Sequence, residues 1–340
     1  MGVTQAQLAK ITGISQGTVS RCFSEPHMVK EATLERVLNT AGQLGYKVNS
    51  AAQGMRKGRF GTIGLLNDEA RYRTALPRDL LGAMYATCTD RQQRMSFAQL
   101  PDVSFEEPDV APTILRDLCV DGIIVNYHGL LPPRLERYLV NTGLPAVWLN
   151  SLRDYDCVRP DDLQAGRLAT ETLLQAGHQV IAFADLEYNR ETPFGRHHCR
   201  MQRFNGYRDA MEHAGYRSHF LSRKAPNSTF AEKRNYALQV LQQTPEISAV
   251  VASGLRDASF FSWAAMHLDT DFPRRLSIIS FDEGSQLCGY ELSYVTPCWD
   301  TIGAKVITML MEKIEGPDLD LPTINVPCIF HAGETIDSKR

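Results

Sequence analysis

The chain has 340 residues, of which 43% are hydrophobic and 22% are charged. These values are ordinary for a globular protein and argue against a disordered chain, a collagen-like repeat or a coiled-coil rod. At about 100–200 residues per domain, the length predicts two or three domains. No apolar run reaches the roughly 18 residues that a membrane helix needs, and the N-terminus lacks a signal-peptide pattern, so we expect a cytoplasmic protein without a membrane partner.

Charge is distributed unevenly along the chain. Residues 1–59 contain eight Lys and Arg against three acidic residues, although the net charge of the whole chain is −3. The remainder of the chain is therefore acidic. A small basic head on an acidic body suggests that the head alone contacts nucleic acid.

The head begins with the capping signals of two short helices. The first is predicted to start at Thr4, which forms a capping box with Gln7, and to stop at Gly13. Ser15 then caps a second helix over residues 16–23, leaving a tight turn between the two. The apolar residues of these helices expected to face a small core are Leu8, Ile11 and Val19.

A third helix is predicted to follow and to end at Gly45, with apolar residues at helical spacing: Leu34, Val37, Leu38, Ala41 and Leu44. Two short helices around a tight turn are typical of a helix-turn-helix. In that motif the first residues of the second helix meet base edges in the major groove. We therefore expect Gln16, Gly17, Ser20 and Arg21 to face the bases, where Gln suits adenine and Arg suits guanine.

Residues 13–17, GISQG, also match the G-x-S-x-G nucleophile elbow of hydrolases. That elbow requires a buried strand running into the serine, whereas the preceding residues carry helical caps and helical spacing. No convergent set of nucleophile, base and orienting acid is evident elsewhere by spacing. We interpret the match as accidental and expect no enzymatic activity and no cofactor.

The motif T-V-S-R at residues 18–21, followed by L-G-Y-K-V-N at residues 44–49, resembles the DNA-binding head and hinge of the lactose/galactose repressor family. The resemblance implies a helix-turn-helix domain over residues 1–47, a hinge over 48–59 and an effector-binding body over 60–340. It implies DNA contacts from Thr4, Ser15, Gln16, Gly17, Thr18, Ser20 and Arg21 of the head and from Asn49, Ala52, Gln53, Met55 and Arg56 of the hinge.

The hinge of that family folds into a short helix on DNA and carries an apolar residue, usually Leu, that wedges into the minor groove. Met55 takes that position here. An apolar side chain of this kind can partly unstack a base step and kink the duplex. Arg56, Lys57 and Arg59 could hold phosphates. The alternative interpretation of this segment is a flexible linker. The two interpretations are compatible if the segment is flexible without DNA and folds into the hinge helix only on DNA.

From Gly61 onward, short apolar runs alternate with amphipathic helices, which indicates parallel βαβ units. Eight strands, divided between two sheets, are predicted at 62–66, 95–99, 122–126, 145–149, 180–184, 218–221, 249–252 and 277–281. The helices are predicted to begin near Pro77, Asp109, Pro133, Asp162, Arg200, Phe230, Arg256 and Thr301. Neither a G-x-G-x-x-G after the first strand nor a P-loop is present, so the expected ligand site is the cleft between two lobes.

The same resemblance extends more loosely to about residue 330 and implies a periplasmic-binding-protein-like core. It implies a first lobe of residues 60–160 and 295–330 and a second lobe of residues 161–294. By this resemblance the effector-binding positions are Asp161, Arg203, Ser253, Asp282 and Trp299. Ser253-Gly254 replaces the usual Asn-Asp pair of the family, which puts a simple sugar effector in doubt.

Each of these positions also has a plain structural interpretation. Arg203 could pair with a nearby acid such as Asp209, Asp282 could cap the exit of its strand, and Trp299 could be a core residue.

Two adjacent histidines and a cysteine, His197-His198-Cys199, invite a metal interpretation. Adjacent helical residues point about 100° apart, whereas metal ligands on a helix usually come at i and i+4, so no metal is expected. The eight cysteines contain no CxxC pair and fit neither a disulfide framework nor a zinc ribbon.

The sequence therefore predicts a transcriptional regulator, most simply a repressor. It is expected to bind a pseudo-palindromic operator in double-stranded DNA as a homodimer and to respond to a small-molecule effector, a sugar, sugar derivative or nucleobase-like compound. The absence of a leucine heptad at residues 332–340 favours a dimer over the tetramer that some family members form. Two alternatives stay open: a cytoplasmic sensor whose head does not bind DNA, and an α/β enzyme acting on a sugar or nucleoside.

Overall fold

The computed structural model describes residues 3–48, 54, 58–68, 76–100, 119–127, 133–186, 197–222, 228–268, 271–281 and 286–338. The chain divides into two compact units, Met1–Phe60 and Gly61–Arg340. Each unit contains hydrophobic clusters of its own.

The first unit is a three-helix domain. It contains α1 (Gln5–Thr12), α2 (Gln16–Ser24), a single 3-10 turn at Pro26–Met28 and α3 (Glu31–Gln43). The predicted capping box is confirmed, since the Thr4 backbone N–H donates to Gln7 Oε1 at 2.9 Å and the Gln7 N–H donates to Thr4 Oγ1 at 3.3 Å. Gly13 ends α1 with φ at 67°, the left-handed conformation that glycine adopts without steric strain.

The core of this domain is narrower than the sequence pattern predicts. Leu8, Val19, Cys22, Val37 and Ala41 are buried together. Three of the residues assigned to the apolar faces are instead largely solvent-exposed, namely Ile11 (59%), Leu38 (44%) and Leu44 (38%). Three short helices enclose one small core, which these three side chains do not reach. The predicted hinge residues Asn49, Ala52, Gln53, Met55 and Arg56 lie outside the described residues.

The second unit contains two six-stranded sheets. The first sheet is parallel throughout, in the order β13-β5-β4-β3-β1-β2, and the second has the order β14-β12-β9-β8-β6-β7, with β14 antiparallel at its edge. The strands of the first sheet are β1 (Thr62–Asp68), β2 (Arg94–Leu100), β3 (Gly122–Asn126), β4 (Ala146–Leu149), β5 (Cys157–Pro160) and β13 (Ile324–Val326). Those of the second are β6 (Ile181–Ala184), β7 (His219–Leu221), β8 (Ala249–Ala252), β9 (Ser277–Ser280), β12 (Ser293–Pro297) and β14 (Cys328–His331).

Helices cover these sheets, and a small hairpin of β10 (Gln286–Leu287) and β11 (Tyr290–Glu291) stands apart. The helices are α4 (Arg78–Asp90), α5 (Pro133–Asn141), α6 (Asp162–Gln175), α7 (His198–His213), α8 (Phe230–Gln243), α9 (Leu255–His267) and α10 (Trp299–Glu315). The central strands are apolar and fully buried, as parallel strands covered on both faces require. All eight predicted strands are present, while the helix predicted near Asp109 falls outside the described part of the chain.

The chain crosses between the two lobes three times. The crossings follow β5, β12 and β13, each of which runs parallel to its neighbour and leaves its sheet at the carboxyl end. After the second crossing, α10 packs Ile302, Val306 and Leu310 into the core of the first lobe.

The third crossing changes the predicted lobe boundaries. β14 pairs antiparallel with β12, so residues 328–331 lie in the second sheet, and the expected boundary at about 295 falls within β12 of that same sheet. The strands of this region are too short to show a hydrophobic period. Their sheet is decided by pairing partners that are distant in sequence, so the sequence pattern does not predict it.

Candidate DNA interface and interlobe site

Helix α2 presents a polar face at its N-terminal end. Gln16, Gly17 and Arg21 are exposed, whereas Val19 and Cys22 are buried in the domain core. The predicted burial of Val19 in the domain core is therefore confirmed, and base reading by the exposed residues stays a prediction. A side chain that reaches the floor of a major groove must start from such an exposed position.

Two other predicted DNA-binding residues, Ser15 and Thr18, form the N-terminal cap of α2. The Thr18 backbone N–H donates to Ser15 Oγ at 3.1 Å, and the two hydroxyl oxygens lie 2.9 Å apart. Thr4 is likewise the N-cap residue of α1, within the capping box. These side chains satisfy N–H groups that would otherwise have no partner at the helix ends, and they fix the angle of the turn.

The interlobe site lies at the carboxyl ends of the parallel strands, because all three crossings leave from those ends. Arg203 on α7, the predicted effector-binding arginine, lies beside Asp162 at the start of α6, directly after β5. Arg203 Nε donates to Asp162 Oδ1 at 2.7 Å, and the guanidinium carbon lies 4.7 Å from the centre of the Phe281 ring. The structural alternative for Arg203, an ion pair with an acid, is thus present, but the acid is Asp162. The example named from the sequence, Asp209, accepts instead from Arg167 at 3.0 Å.

The electrostatics of this pair favour its charged form. Burial is the largest single effect and lowers the pKa of Arg203, but the charge and the hydrogen bond of Asp162, with smaller contributions from neighbouring groups, together raise the pKa above its ordinary value. The Asp162 side chain is only 1% exposed. Its second oxygen, Oδ2, is buried and has no hydrogen-bond partner among the described residues. A buried carboxylate oxygen without a donor is destabilising, and native proteins rarely leave one without a reason.

The neighbouring Asp161 caps α6, since its Oδ1 accepts from the Gln164 N–H at 2.9 Å. Its side chain therefore positions Asp162, the first residue of the helix. Sequence reasoning selected Asp161 and missed Asp162, although an acid pair directly after an apolar strand is a visible signal at the end of a parallel strand.

A second ion pair lies beside the first on α7. Arg200, three residues before Arg203 and so on the same side of the helix, donates through Nε to Asp185 Oδ2 at 2.8 Å and through a terminal nitrogen to the other Asp185 oxygen. Both side chains are buried. Asp257 is buried close by and accepts from the Leu186 N–H at 3.0 Å. The second lobe therefore presents paired rather than isolated charges.

The first lobe contributes amides that the sequence pattern left unassigned. Asn67, Asn126 and Asn150 stand at or directly after the ends of the adjacent strands β1, β3 and β4. Asn126 Nδ2 donates to Asn67 Oδ1 at 2.7 Å. Asn150 has a φ of 54°, and its Oδ1 is buried without a hydrogen-bond partner in the described ranges. Each of these residues follows an apolar run, which is the signal that could have identified it.

Two of the other predicted effector-binding residues, Ser253 and Trp299, lie in the described part of the chain. Ser253 follows β8, is half-buried, and its N–H donates to the Ala184 carbonyl at 2.8 Å. Trp299 opens α10 and packs, partly buried, against the core of the first lobe. Asp282 lies outside the described residues.

The Cys328 thiol near this site is protonated at neutral pH. Burial raises the pKa of Cys328 to about 12. His197 Nδ1 accepts from the Cys199 N–H at 3.3 Å and so caps α7, while the rings of His197 and His198 lie 4.4 Å apart. Within the described ranges, no group of three or more His, Cys, Asp or Glu side chains is arranged to hold a metal ion.

The chain is similar in sequence to a family of binding domains and to several transcriptional regulators. Residues 170–336 match the family model of the periplasmic binding protein-like domain. The maltose regulon regulatory protein MalI of Escherichia coli is 29% identical to the chain, over 73% of this chain and 71% of that protein. The regulator AscG of the same organism, described as helix-turn-helix-type, is 26% identical over 92% of this chain and 90% of its own length.

Among solved structures, the fold is similar to that of the lac repressor dimer bound to operator and an anti-inducer. The TM-score is 0.79 at 19% identity, covering 98% of this chain and 99% of that one. The likeness in fold spans the helical head as well as the two-lobed body.

A helix-turn-helix head followed by a two-lobed periplasmic-binding-protein-like body defines a class of one-chain transcriptional regulators. The chain is similar to transcriptional regulators of this class in sequence and to the lac repressor in fold. In the part of the chain that the structure describes, no helix is both long and apolar enough to cross a membrane.

Proposed function

We propose that the protein is a repressor that binds a pseudo-palindromic operator as a homodimer and responds to a small-molecule effector between its lobes. One observation carries the DNA-binding part: α2 exposes Gln16, Gly17 and Arg21 at its start while Val19 and Cys22 hold it to the core. One such helix reads only a few base pairs, so affinity requires two half-sites and hence two copies of the chain.

The proposed domain division supports this function. Residues 1–47 would read the operator, residues 48–59 would enter the minor groove with Met55 as the wedge, and residues 60–340 would bind effector and pair the subunits. The basic residues of the head and hinge favour phosphate contact, whereas the body is acidic.

The effector is proposed to lie against Asp161, Arg203, Ser253, Asp282 and Trp299, with Asp162 added from the geometry. The supporting observation is the buried Arg203–Asp162 pair at the carboxyl ends of the strands. An effector can shift operator affinity only if it binds the two lobe arrangements with different affinity.

We further propose that the protein acts on DNA in the cytoplasm and is a regulator without catalytic activity. The named relatives are transcriptional regulators. The G-x-S-x-G match at residues 13–17 spans the turn between α1 and α2, so the strand that a nucleophile elbow needs is not there.

The decisive experiment is selection of bound duplexes from a random DNA pool by the purified full-length protein. Affinity for the selected duplexes is then measured at several salt concentrations. We expect a symmetric site and a steep fall of affinity with salt, because neutralised phosphates release counterions. Enrichment of no sequence, together with weak binding at every salt concentration, would contradict DNA recognition and favour the sensor alternative.

A further inference from the structure

The first lobe exposes apolar side chains among acidic ones. Tyr155 and Leu319 are each 56% solvent-exposed, and Leu152 is 61% exposed. Tyr155 and Leu319 each lie between two acids, in the triplets Asp154-Tyr155-Asp156 and Asp318-Leu319-Asp320. Single exposed apolar residues are common on protein surfaces and need an explanation only where they lie together.

The two triplets belong to neighbouring segments of backbone. Tyr155 forms an antiparallel β-bridge with Pro322. The Asp156 N–H donates to the Leu321 carbonyl at 2.6 Å, so the two segments are hydrogen-bonded to each other. Together they form one continuous surface on the first lobe. This acidic-apolar surface comprises residues 152–156 and 318–322.

A buried ion pair holds the acidic-apolar surface in place. Lys313, in the last turn of α10, is 8% exposed, and its Nζ donates to Asp156 Oδ2 at 2.8 Å. Asp156 Oδ1 accepts from the Leu321 N–H at 3.1 Å, so one carboxylate is bonded both to α10 and to the second segment. Tyr155 and Leu319 are therefore exposed on a backbone that these bonds fix. A fixed apolar patch rimmed by polar residues is typical of protein–protein interaction sites.

The acidic charge of this surface is not compensated by neighbouring bases. The exposed acids Asp154, Asp318 and Asp320 form no ion pair with a described residue. The base within the acidic-apolar surface, Arg153, is engaged elsewhere, because it pairs with Glu136 at 2.5 Å. The surface therefore presents a field of one sign around its apolar side chains.

We propose that the acidic-apolar surface is the docking site for a basic segment of another protein, one that carries an apolar residue between Lys or Arg side chains. The positive side chains complement the three unpaired acids, and the apolar residue packs against Tyr155 and Leu319. Complementary charge accelerates the encounter and orients the partner. Burial of a tyrosine is among the contacts that contribute most at interfaces. DNA does not fit as the occupant, because the same acids repel its phosphates.

The test uses the full-length protein and, as the probe, a helical peptide of Lys and Leu with its leucines on one face. Binding is measured by fluorescence anisotropy at low and at high salt. Asp318→Asn with Asp320→Asn removes two charges, and Tyr155→Ser with Leu319→Ser removes the apolar contact. We expect each double variant to bind the peptide roughly tenfold more weakly, and the salt dependence to be smaller for D318N/D320N.

Two control variants make the result specific. Glu171→Gln with Glu246→Gln removes two exposed charges from the second lobe and should bind the peptide like the wild type. Leu319→Met keeps an apolar side chain and should also bind like the wild type, which separates a lost contact from a lost fold. Equal weakening by E171Q/E246Q and D318N/D320N would overturn the proposal, since the peptide would then respond only to net charge.

The peptide itself supplies a further control. Replacing its leucines by serine keeps the positive charge and should weaken binding roughly tenfold, because the contact with Tyr155 and Leu319 is lost. Equal binding of the serine peptide would overturn the apolar part of the proposal. Operator affinity plays no part in these measurements, so failure of the proposed function would leave this inference intact.

Photo-crosslinking identifies the occupant in the cells that make the protein. Leu319→benzoylphenylalanine is introduced alone and together with D318N/D320N. We expect a crosslink to a Lys- or Arg-rich segment of another protein that disappears when the two acids are removed. A crosslink to a second copy of this chain, a crosslink that persists without the acids, or no crosslink would each overturn the proposal.

Discussion

Gly166 of α6 lies directly against the backbone of Arg203 on α7, so closely that a Cβ at Gly166 would overlap the Arg203 carbonyl oxygen. Gly206 faces the other way, and a Cβ there would overlap the Leu163 carbonyl oxygen. The two helices approach each other through these glycines. This close approach brings the Arg203 side chain to Asp162 at the start of α6.

Gly166→Ala should therefore separate the two helices. We expect a loss of about 1–3 kcal/mol in the free energy of unfolding, because the obstructing atom is backbone and cannot rotate away. Urea unfolding of the full-length protein measures the effect. Gly82→Ala is the matched control, since nothing lies within 4 Å of a Cβ there, and it should raise stability by roughly 0.5–1 kcal/mol as expected in a helix interior. Equal effects of the two substitutions would contradict the packing argument.

Gly13→Ala should destabilise the helix-turn-helix by about 1 kcal/mol. Gly13 has a φ of 67°, which an L-residue with a Cβ adopts only with strain, although the surrounding space is open. Hydrogen exchange of the α1 and α2 amides in the full-length protein would report faster opening of both helices. Gly17→Ala, within α2 and with only ordinary contacts, should slow exchange instead. A similar exchange rate in both variants would mean that the backbone of the turn is not the limiting feature.

Arg21→Ala should weaken operator binding by about 1–3 kcal/mol and relax the base preference at one position of each half-site, as loss of a bidentate base contact does. Selection of duplexes with the variant would show this relaxation directly. Arg36→Ala is the comparison, because Arg36 is exposed on α3 rather than on the helix that carries the reading face. Loss of the Arg36 side chain should change the affinity for all DNA sequences alike. A change in base preference with R36A but not with R21A would show that α2 is not the helix that contacts the bases.

Stability should decline at alkaline pH. Burial raises the pKa of Cys88 to about 11 and those of Cys328 and Tyr207 to about 12. The unfolded chain loses these protons earlier, at about pH 8.5 for Cys and about pH 10 for Tyr, so the folded state binds more protons and its stability falls as pH rises. The stabilisation is fully present below about pH 8.5 and disappears toward pH 11–12, at about 1.4 kcal/mol per pH unit for each group.

Urea midpoints between pH 7 and pH 10.5 would measure this decline. Tyr207→Phe should lower stability at pH 7, because the Tyr207 hydroxyl donates to the Ile181 carbonyl at 2.7 Å, but it should also flatten the profile above pH 10. Cys119→Ser, at an exposed position, should leave the profile unchanged. A profile that is flat to pH 10.5 in the wild type would show that these buried protons do not control stability.

Much of the head could be predicted from the sequence because its signals are local. The Thr4–Gln7 box, the Gly13 stop and the Ser15 cap each involve groups no more than three residues apart, or a single backbone angle. The apolar assignments were less successful. Periodicity places Ile11 and Leu38 on apolar faces, but how much of each face is covered depends on the neighbouring helices.

In the body, periodicity identified eight strands of the two sheets but missed β5, β12, β13 and β14, and it did not predict the pairings. Arg203 had an acid six residues away in sequence, Asp209, yet it pairs with Asp162, which is 41 residues away. The close approach of α6 and α7 at Gly166 and Gly206 decides which acid pairs with Arg203. A single sequence does not show that these two helices are in contact.

Caps, turns and hydrophobic periods depend on neighbours within one or two helical turns, and the helix-turn-helix and the βαβ order could therefore be predicted from the sequence. Three features became visible only in the folded chain: β14 returns to the second sheet, Arg203 pairs with Asp162 and not Asp209, and Asn126 contacts Asn67 at the end of the first sheet. These contacts depend on sheet order and on three chain crossings, and they form between residues whose separation in sequence says nothing of their distance in space.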